Sequence, residues 1–345
     1  MNVVRGIRLP DRNEGAFAMP HDILLQNLIS PITLAFLMGV VATLIRSDLE
    51  IPEPILKILS IFLLLSIGIQ GGRELSEVHF AEVAAAIGVT LILVVTLPLV
   101  AFLIASRVGR FDPANAAGIA ALYGSVSSVT FLAAQNFAQS QQAPAEGFLA
   151  ALIAMMEWGI LVALLIGRFA LAKEAGGMQG LGGIVSETLR GRGLVLLVGG
   201  LTMGFLIGDA DYKRISPFFV DLFRGVLVLF LLEMGMTAAR RLREFAQVRV
   251  FMLGFGIVVP VIFGAFGTLL GTLAGLSLGG AFVLGAVAAS ASYIDAPAAV
   301  RAALPHANPS IYLTSSLAIT FPFNLIAGLP IYFMFAQMWR GLLMG

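Results

Sequence analysis

The sequence predicts an all-α membrane protein: ten transmembrane helices forming a five-plus-five inverted repeat, with helices 4 and 9 interrupted. Three observations predict it. Of 345 residues, 59% are hydrophobic and 12% charged, where a soluble domain carries about 25% charged residues. The charges are bunched and leave apolar runs of roughly 20 residues, the length that crosses a bilayer's hydrocarbon core. One constant offset also superimposes the two halves of the chain.

Taken in order, the apolar runs place the spans at about 24–45, 55–72, 82–105, 113–138, 147–171, 192–208, 217–238, 250–275, 279–303 and 309–338. Residues 1–22 read as a polar N-terminal tail. They carry Arg5, Arg8 and Arg12 and lack the apolar core of a secretion signal. Met1 and Met19 are both candidate starts. The first repeat then covers 23–172, a cytoplasmic loop 173–191, and the second repeat 192–345.

Lysine and arginine set the orientation. The loops after helices 1, 3, 5, 7 and 9 hold Arg46, Lys57, Arg107, Arg110, Arg168, Lys173, Arg190, Arg192, Arg240, Arg241, Arg243, Arg249 and Arg301. The other side holds Arg5, Arg8, Arg12, Arg73, Lys213, Arg214 and Arg340. Thirteen against seven assigns the first set to the cytoplasm. Both termini are then expected outside.

The offset is 167 residues. It lays Leu65-Ser66-Ile67-Gly68-Ile69 on Leu232-Glu233-Met234-Gly235-Met236, Arg73 on Arg240, and, with no gap, Gly118 on Gly285 and Ser125 on Ser292. Five spans per half is an odd number, so the second half enters the membrane from the opposite face. Inverted repeats of this kind are the architecture of many secondary transporters.

Helices 4 and 9 contain segments that suit no ordinary span, Gly124-Ser125-Val126-Ser127-Ser128 and Ser290-Ala291-Ser292-Tyr293-Ile294-Asp295-Ala296-Pro297. A helix broken inside the bilayer exposes N–H groups that hold an anion and carbonyls that hold a cation. Gly124, Ser125, Val126, Ser127 and Ser128 are therefore candidate anion-binding residues, facing Ser290, Ala291, Ser292 and Tyr293 across the pseudo-two-fold axis. Neither cluster holds lysine or arginine, which suits a small, weakly charged anion rather than a dianion. Serine and glycine in membrane helices also serve simply as close-packing positions.

Carboxylates inside apolar runs are costly and mark function. Glu157 falls on Asn324 under the same offset, and the two are candidate sodium ligands, together with Asp295 after the second break and Thr130 after the first. Glu233 reads as a buried, protonated carboxyl bonded to a neighbour, and Arg224 as the partner of Asp221. Arg240, Arg241 and Arg243 are expected to meet lipid headgroups, with docking of a cytosolic regulator as the alternative.

Several classes are excluded. Cysteine is absent and the three histidines lack metal-ligand spacing. No HExxH, GxSxG or phosphate-cradling loop occurs, so no enzyme is expected. A net charge of +1 gives no sign of a nucleic-acid partner.

Ser30-Pro31-Ile32-Thr33-Leu34-Ala35-Phe36-Leu37, Leu222-Phe223-Arg224-Gly225, Ser277-Leu278-Gly279-Gly280 and Ala307-Asn308-Pro309-Ser310 resemble the SbtA-like sodium-dependent bicarbonate transporter family. The resemblance runs from about residue 23 to 340. It implies a gate domain from helices 1, 2, 6 and 7 and a core domain from helices 3, 4, 5, 8, 9 and 10. It further implies a homotrimer in the bacterial inner membrane, sodium as coupling ion, and bicarbonate bound between helices 4 and 9. Movement would be elevator-like. The turn from Tyr123 to Thr130 matches the family's first anion-binding turn and Ala289 to Pro297 the second. Glu157 and the Ser290–Tyr293 stretch depart from the cyanobacterial type, which has aspartate at the first and three serines then aspartate at the second. The family's PII-like cytosolic regulator carries over as a partner, although the mid-chain loop is short here. The expected activity is sodium-coupled bicarbonate import. Alternatives are sodium-dependent transport of another small monovalent anion or carboxylate, a passive anion channel, or a receptor.

Overall fold

Short polar side chains start the helices. Ser30 precedes Pro31, and its hydroxyl accepts the Thr33 N–H at 3.2 Å. Asp112 precedes Pro113 and accepts the Asn115 N–H at 3.0 Å, while Ser277 accepts the Gly280 N–H at 3.0 Å. Each oxygen satisfies a donor with no intrahelical acceptor, and proline at the first helical position sacrifices none.

The computed structural model describes residues 20–175, 190, 192–242, 250–293 and 296–344. The described residues are mostly helical and contain no strand. The helices are α1 Pro20–Leu28, α2 Pro31–Leu44, α3 Glu53–Glu77, α4 Phe80–Leu103, α5 Pro113–Tyr123, α6 Ser128–Ser140, α7 Leu149–Met156 and α8 Gly159–Ala175. There follow α9 Arg192–Leu206, α10 Asp209–Ser216, α11 Phe223–Leu242, α12 Val250–Leu273, α13 Leu278–Ala288 and α14 Ala296–Ala303. The last, α15 Pro309–Leu343, is loosened into π geometry at Thr314–Thr320 and Asn324–Gly328. Most of the tail 1–22 and of the loop 173–191 lies outside the described residues, as do Arg243, Arg249 and Asp295.

Among the described residues, seven helical stretches are long and apolar enough to cross a bilayer, and Pro31–Leu44, Val195–Leu206 and Leu278–Ala288 are shorter apolar helices. The chain is a multi-pass helical membrane protein. Two expected spans are divided. Residues 24–45 fold as α1 and α2 around Ser30-Pro31, and 147–171 as α7 and α8 around a turn at Glu157-Trp158. Leu91, Ile92, Val95 and Leu99 of α4 lie exposed, a face suited to lipid chains.

Packing follows the small residues. α2 lies on α11 and α3 on α9. A Cβ at Gly39 would stand 2.0 Å from the Leu232 carbonyl oxygen, and one at Gly235 2.0 Å from that of Phe36. These backbones touch in the way small residues permit between membrane helices. α5 packs with α4 and α8, and α13 with α6, α12 and α15. The alanine-rich α5–α6 stretch is 94% buried over its most apolar window, so the molecule's centre is formed by the segments least like ordinary spans.

Candidate functional site

The first break, residues 124–127, separates α5 from α6. Its backbone is pressed between neighbours. A Cβ on Gly124 would stand 2.4 Å from that of Pro98, and one on Gly159 1.8 Å from the Gly124 carbonyl oxygen. The second break follows Ala288, and its described part is residues 289–293. Two hydrogen bonds tie the breaks together: the Ser127 N–H donates to Ser290 Oγ at 2.8 Å, and the Ser292 N–H to the Leu122 carbonyl at 2.8 Å. Ser290 Oγ in turn donates to the Val287 carbonyl at 2.7 Å. The two clusters singled out in the sequence therefore meet in the interior.

At the start of α6, the Ser127 hydroxyl accepts the Thr130 N–H at 3.2 Å and the Ser127 carbonyl accepts the Phe131 N–H at 3.0 Å. Among the described residues, the N–H groups of Ser128 and Val129 have no acceptor. Both residues line a small cavity of about 20 Å³ together with Val126, Ser127, Ser292 and Tyr293. Ser60, Leu63, Leu64 and Phe230, from α3 and α11, close it from the other side. Among the described residues no lysine or arginine lines it. The Tyr293 hydroxyl is buried beside the Ser127 hydroxyl, without the geometry of a full hydrogen bond. Its ring stands edge-on to Phe321 at 5.5 Å, and Phe321 edge-on to Phe36 of α2 at 5.5 Å.

The remaining anion-site candidates lie behind this wall. Gly124, Ser125, Ser290 and Ala291 are buried in the crossing itself and do not line the cavity. Ser125 Oγ donates to Glu157 Oε2 at 2.6 Å. Glu157 is 2% exposed and caps α7 where the chain turns into α8. Asn324 is also buried, at the first π segment position after Phe323. Its Nδ2 donates to the Ala289 carbonyl at 2.9 Å, and its Oδ1 accepts from Tyr332 at 2.7 Å. Thr130 is buried in the first turn of α6, and Asp295 lies outside the described residues. Among the described residues no cluster of three or more His, Asp or Glu side chains is placed to hold a metal ion.

Glu233 is buried and bonded to neighbours: its Oε1 faces the Arg240 guanidinium at 3.4 Å and accepts from Thr237 at 3.1 Å. Two turns of helix bring Arg240 back over it. Arg224 donates to Gln139 Oε1 of α6, not to Asp221. Both line a larger polar chamber of about 430 Å³ with Gln70, Glu74 and Asn136. That chamber runs along the same α3 and α6 that wall the small cavity, about one helical turn further on.

Sequence reasoning missed a buried hydroxyl cluster. Tyr123 Oη lies 2.6 Å from Ser315 Oγ and 2.7 Å from Thr320 Oγ1, which donates to the Gly256 carbonyl at 2.7 Å. The signal available was the polar run Thr314-Ser315-Ser316 within an apolar span. It also missed Tyr332, whose place eight residues beyond Asn324 gives two turns on one helix face.

Interrupted helices crossing around a small interior cavity, inside a multi-pass helical bundle, belong to the class of membrane transport proteins. A family model described as the Na+-dependent bicarbonate transporter superfamily matches residues 31–337, nearly the whole chain. The chain belongs to that family, and it is a transport protein rather than an enzyme. No protein of curated function matches it.

Proposed function

We propose that the protein imports bicarbonate into the cytoplasm in symport with sodium, by elevator-like movement of a core domain against a gate domain. The observation that carries this reading is the crossing: open N–H groups at the start of α6 and a buried Tyr293 hydroxyl beside Ser127, around one small cavity. The Ser128 hydroxyl lines the same cavity. Donors without a formal positive charge suit a monoanion of a few atoms. The cavity has room for about one water-sized sphere, so bicarbonate enters as Leu63 and Phe230 draw back.

Sodium acts at Glu157. While bare, its carboxylate repels an anion at the crossing to which Ser125 ties it. A sodium ion held by the carboxylate, with Ser125 and Thr130 as oxygen ligands, removes that repulsion and so raises affinity for the anion. The anion raises affinity for sodium by the same factor, and this reciprocity is symport in thermodynamic terms. Asp295 joins this proposal as a further ligand.

Helices 1, 2, 6 and 7 correspond to α2, α3, α9 and α11, the gate, and the remaining spans to the core. The pairing of α2 with α11 and of α3 with α9 is what a two-fold relation between halves requires. The cavity lies between gate residues Ser60, Leu63 and Phe230 and core residues Ser127, Ser128, Ser292 and Tyr293. A core sliding along the gate therefore carries its cargo with it. The proposal places the protein in the bacterial inner membrane as a trimer with both termini outside, the larger chamber facing out, and a PII-like regulator at the cytoplasmic face.

Labelled bicarbonate uptake into proteoliposomes, with and without an inward sodium gradient, tests the reading. Uptake indifferent to sodium removes the coupling. Competition by unlabelled formate, acetate and nitrate decides between bicarbonate and another small monovalent anion.

A further inference from the structure

The 167-residue offset puts Glu157 and Asn324 in corresponding places, and the structure treats them differently. Glu157 offers a carboxylate beside the first break, with Ser125 Oγ donating to it at 2.6 Å. Asn324 turns its amide the other way. Its Nδ2 donates to the carbonyl of Ala289, the residue that caps the end of α13. Tyr332 donates to its Oδ1 at 2.7 Å, which fixes the orientation of the amide. All three groups are buried.

A carbonyl at the end of a broken helix carries partial negative charge and is a natural ligand for a small cation. At Ala289 that place is taken by a covalently attached N–H. Resting on the sodium-coupled reading above, we propose that Asn324 replaces a cation at the second of the two symmetry-related positions. Sodium is then carried at the Glu157 position alone, one ion per anion, and a complete transport cycle moves no net charge.

The test is the sodium and voltage dependence of labelled bicarbonate uptake into proteoliposomes, with membrane potential set by potassium and valinomycin. For the native protein the expected result is a sodium Hill coefficient of about one and a final bicarbonate accumulation unchanged by an inside-negative potential. Asn324→Asp exchanges the tethered donor for a carboxylate beside the Ala289 carbonyl. It is expected to raise the Hill coefficient toward about two and to make accumulation greater at inside-negative potential. A native Hill coefficient near two, or potential-driven native accumulation, overturns the proposal. So does a folded Asn324→Asp protein with native sodium dependence. Should that variant not fold, the native measurements decide alone. Native protein that takes up bicarbonate without needing sodium sinks the coupling reading itself, and the stoichiometry falls with it.

Discussion

Tyr293→Phe separates the roles of ring and hydroxyl. The hydroxyl is buried beside the Ser127 hydroxyl, at the cavity that Tyr293 lines, without the geometry of a full hydrogen bond, so its removal breaks no well-formed bond in the empty protein. A buried hydroxyl without a compensating hydrogen bond costs about 1–3 kcal/mol in protein mutational data, and the variant should be as stable as the native chain or more so. The ring contact with Phe321 at 5.5 Å is kept. In the loaded protein the same hydroxyl donates to the anion, and a hydrogen bond to a charged group is worth about 1.5–3 kcal/mol. At about 1.4 kcal/mol per tenfold change, its loss weakens the anion by about 10- to 100-fold. The assay is the KM for labelled bicarbonate at saturating sodium, beside the melting temperature without ligand. The expected pair is a KM raised by that factor and a Tm unchanged or higher. An unchanged KM would show that the hydroxyl does not touch the cargo. A fall in Tm would show that it already makes a full hydrogen bond in the empty state.

Glu157→Gln keeps the shape and removes the charge. It should abolish sodium's stabilisation of the protein, about 2.7 kcal/mol at a sodium concentration a hundred times Kd, read as a lost Tm shift between sodium and potassium buffers. Gly159→Ala sets a Cβ 1.8 Å from the Gly124 carbonyl oxygen, and backbone cannot swing aside as a side chain does. The cost should be about 1–3 kcal/mol or more, seen as a lowered Tm with uptake reduced further than folding alone explains. Asp112→Ala removes the cap of α5 and should cost about 1 kcal/mol. Burial alone would raise the Asp112 carboxyl, but the N–H of Asn115, its side-chain amide and the N–H of Ala114 outweigh burial and hold it below its ordinary value. A depressed carboxyl contributes fully above the unfolded value of about 3.9 and loses that contribution as pH falls through the folded one. The Tm gap between native and variant should therefore close on acidification.

Hydropathy and the paired serine clusters made the helical membrane class and both interior breaks legible in the sequence. Each is a local property: a run of apolar residues, or a polar cluster where no polarity is tolerated without reason. The facing of individual serines was not legible. Ser127 and Ser290 stand 163 residues apart, and their bond decides that Ser128 and Ser292 turn to the cavity while Ser125 turns to Glu157. The turn at Glu157-Trp158 was missed as well. Glu157 sits among apolar residues that read as continuous helix, and the break follows from Gly159 fitting against the Gly124 backbone. The identity of one Glu233 partner, Arg240 seven residues on, was not legible because it lay in what looked like a headgroup-facing run.

The absence of lysine and arginine from the cavity has a kinetic consequence for the proposed cycle. An anion clamped by a buried guanidinium would be held by full charges in a low dielectric, where each attraction is large and release correspondingly slow. Backbone N–H groups and hydroxyls hold it by dipoles, a smaller attraction that sodium at Glu157 can tip in either direction. With sodium present the carboxylate is neutralised and the dipoles suffice to retain the anion. In the proposed cycle, once sodium leaves on the cytoplasmic side the Glu157 carboxylate again repels the anion at the crossing. The same carboxylate that couples the ions thus serves as the release device. A cation installed in the cavity wall, as in Ser128→Lys, should tighten anion binding while slowing turnover, with its retained anion no longer released by removing sodium.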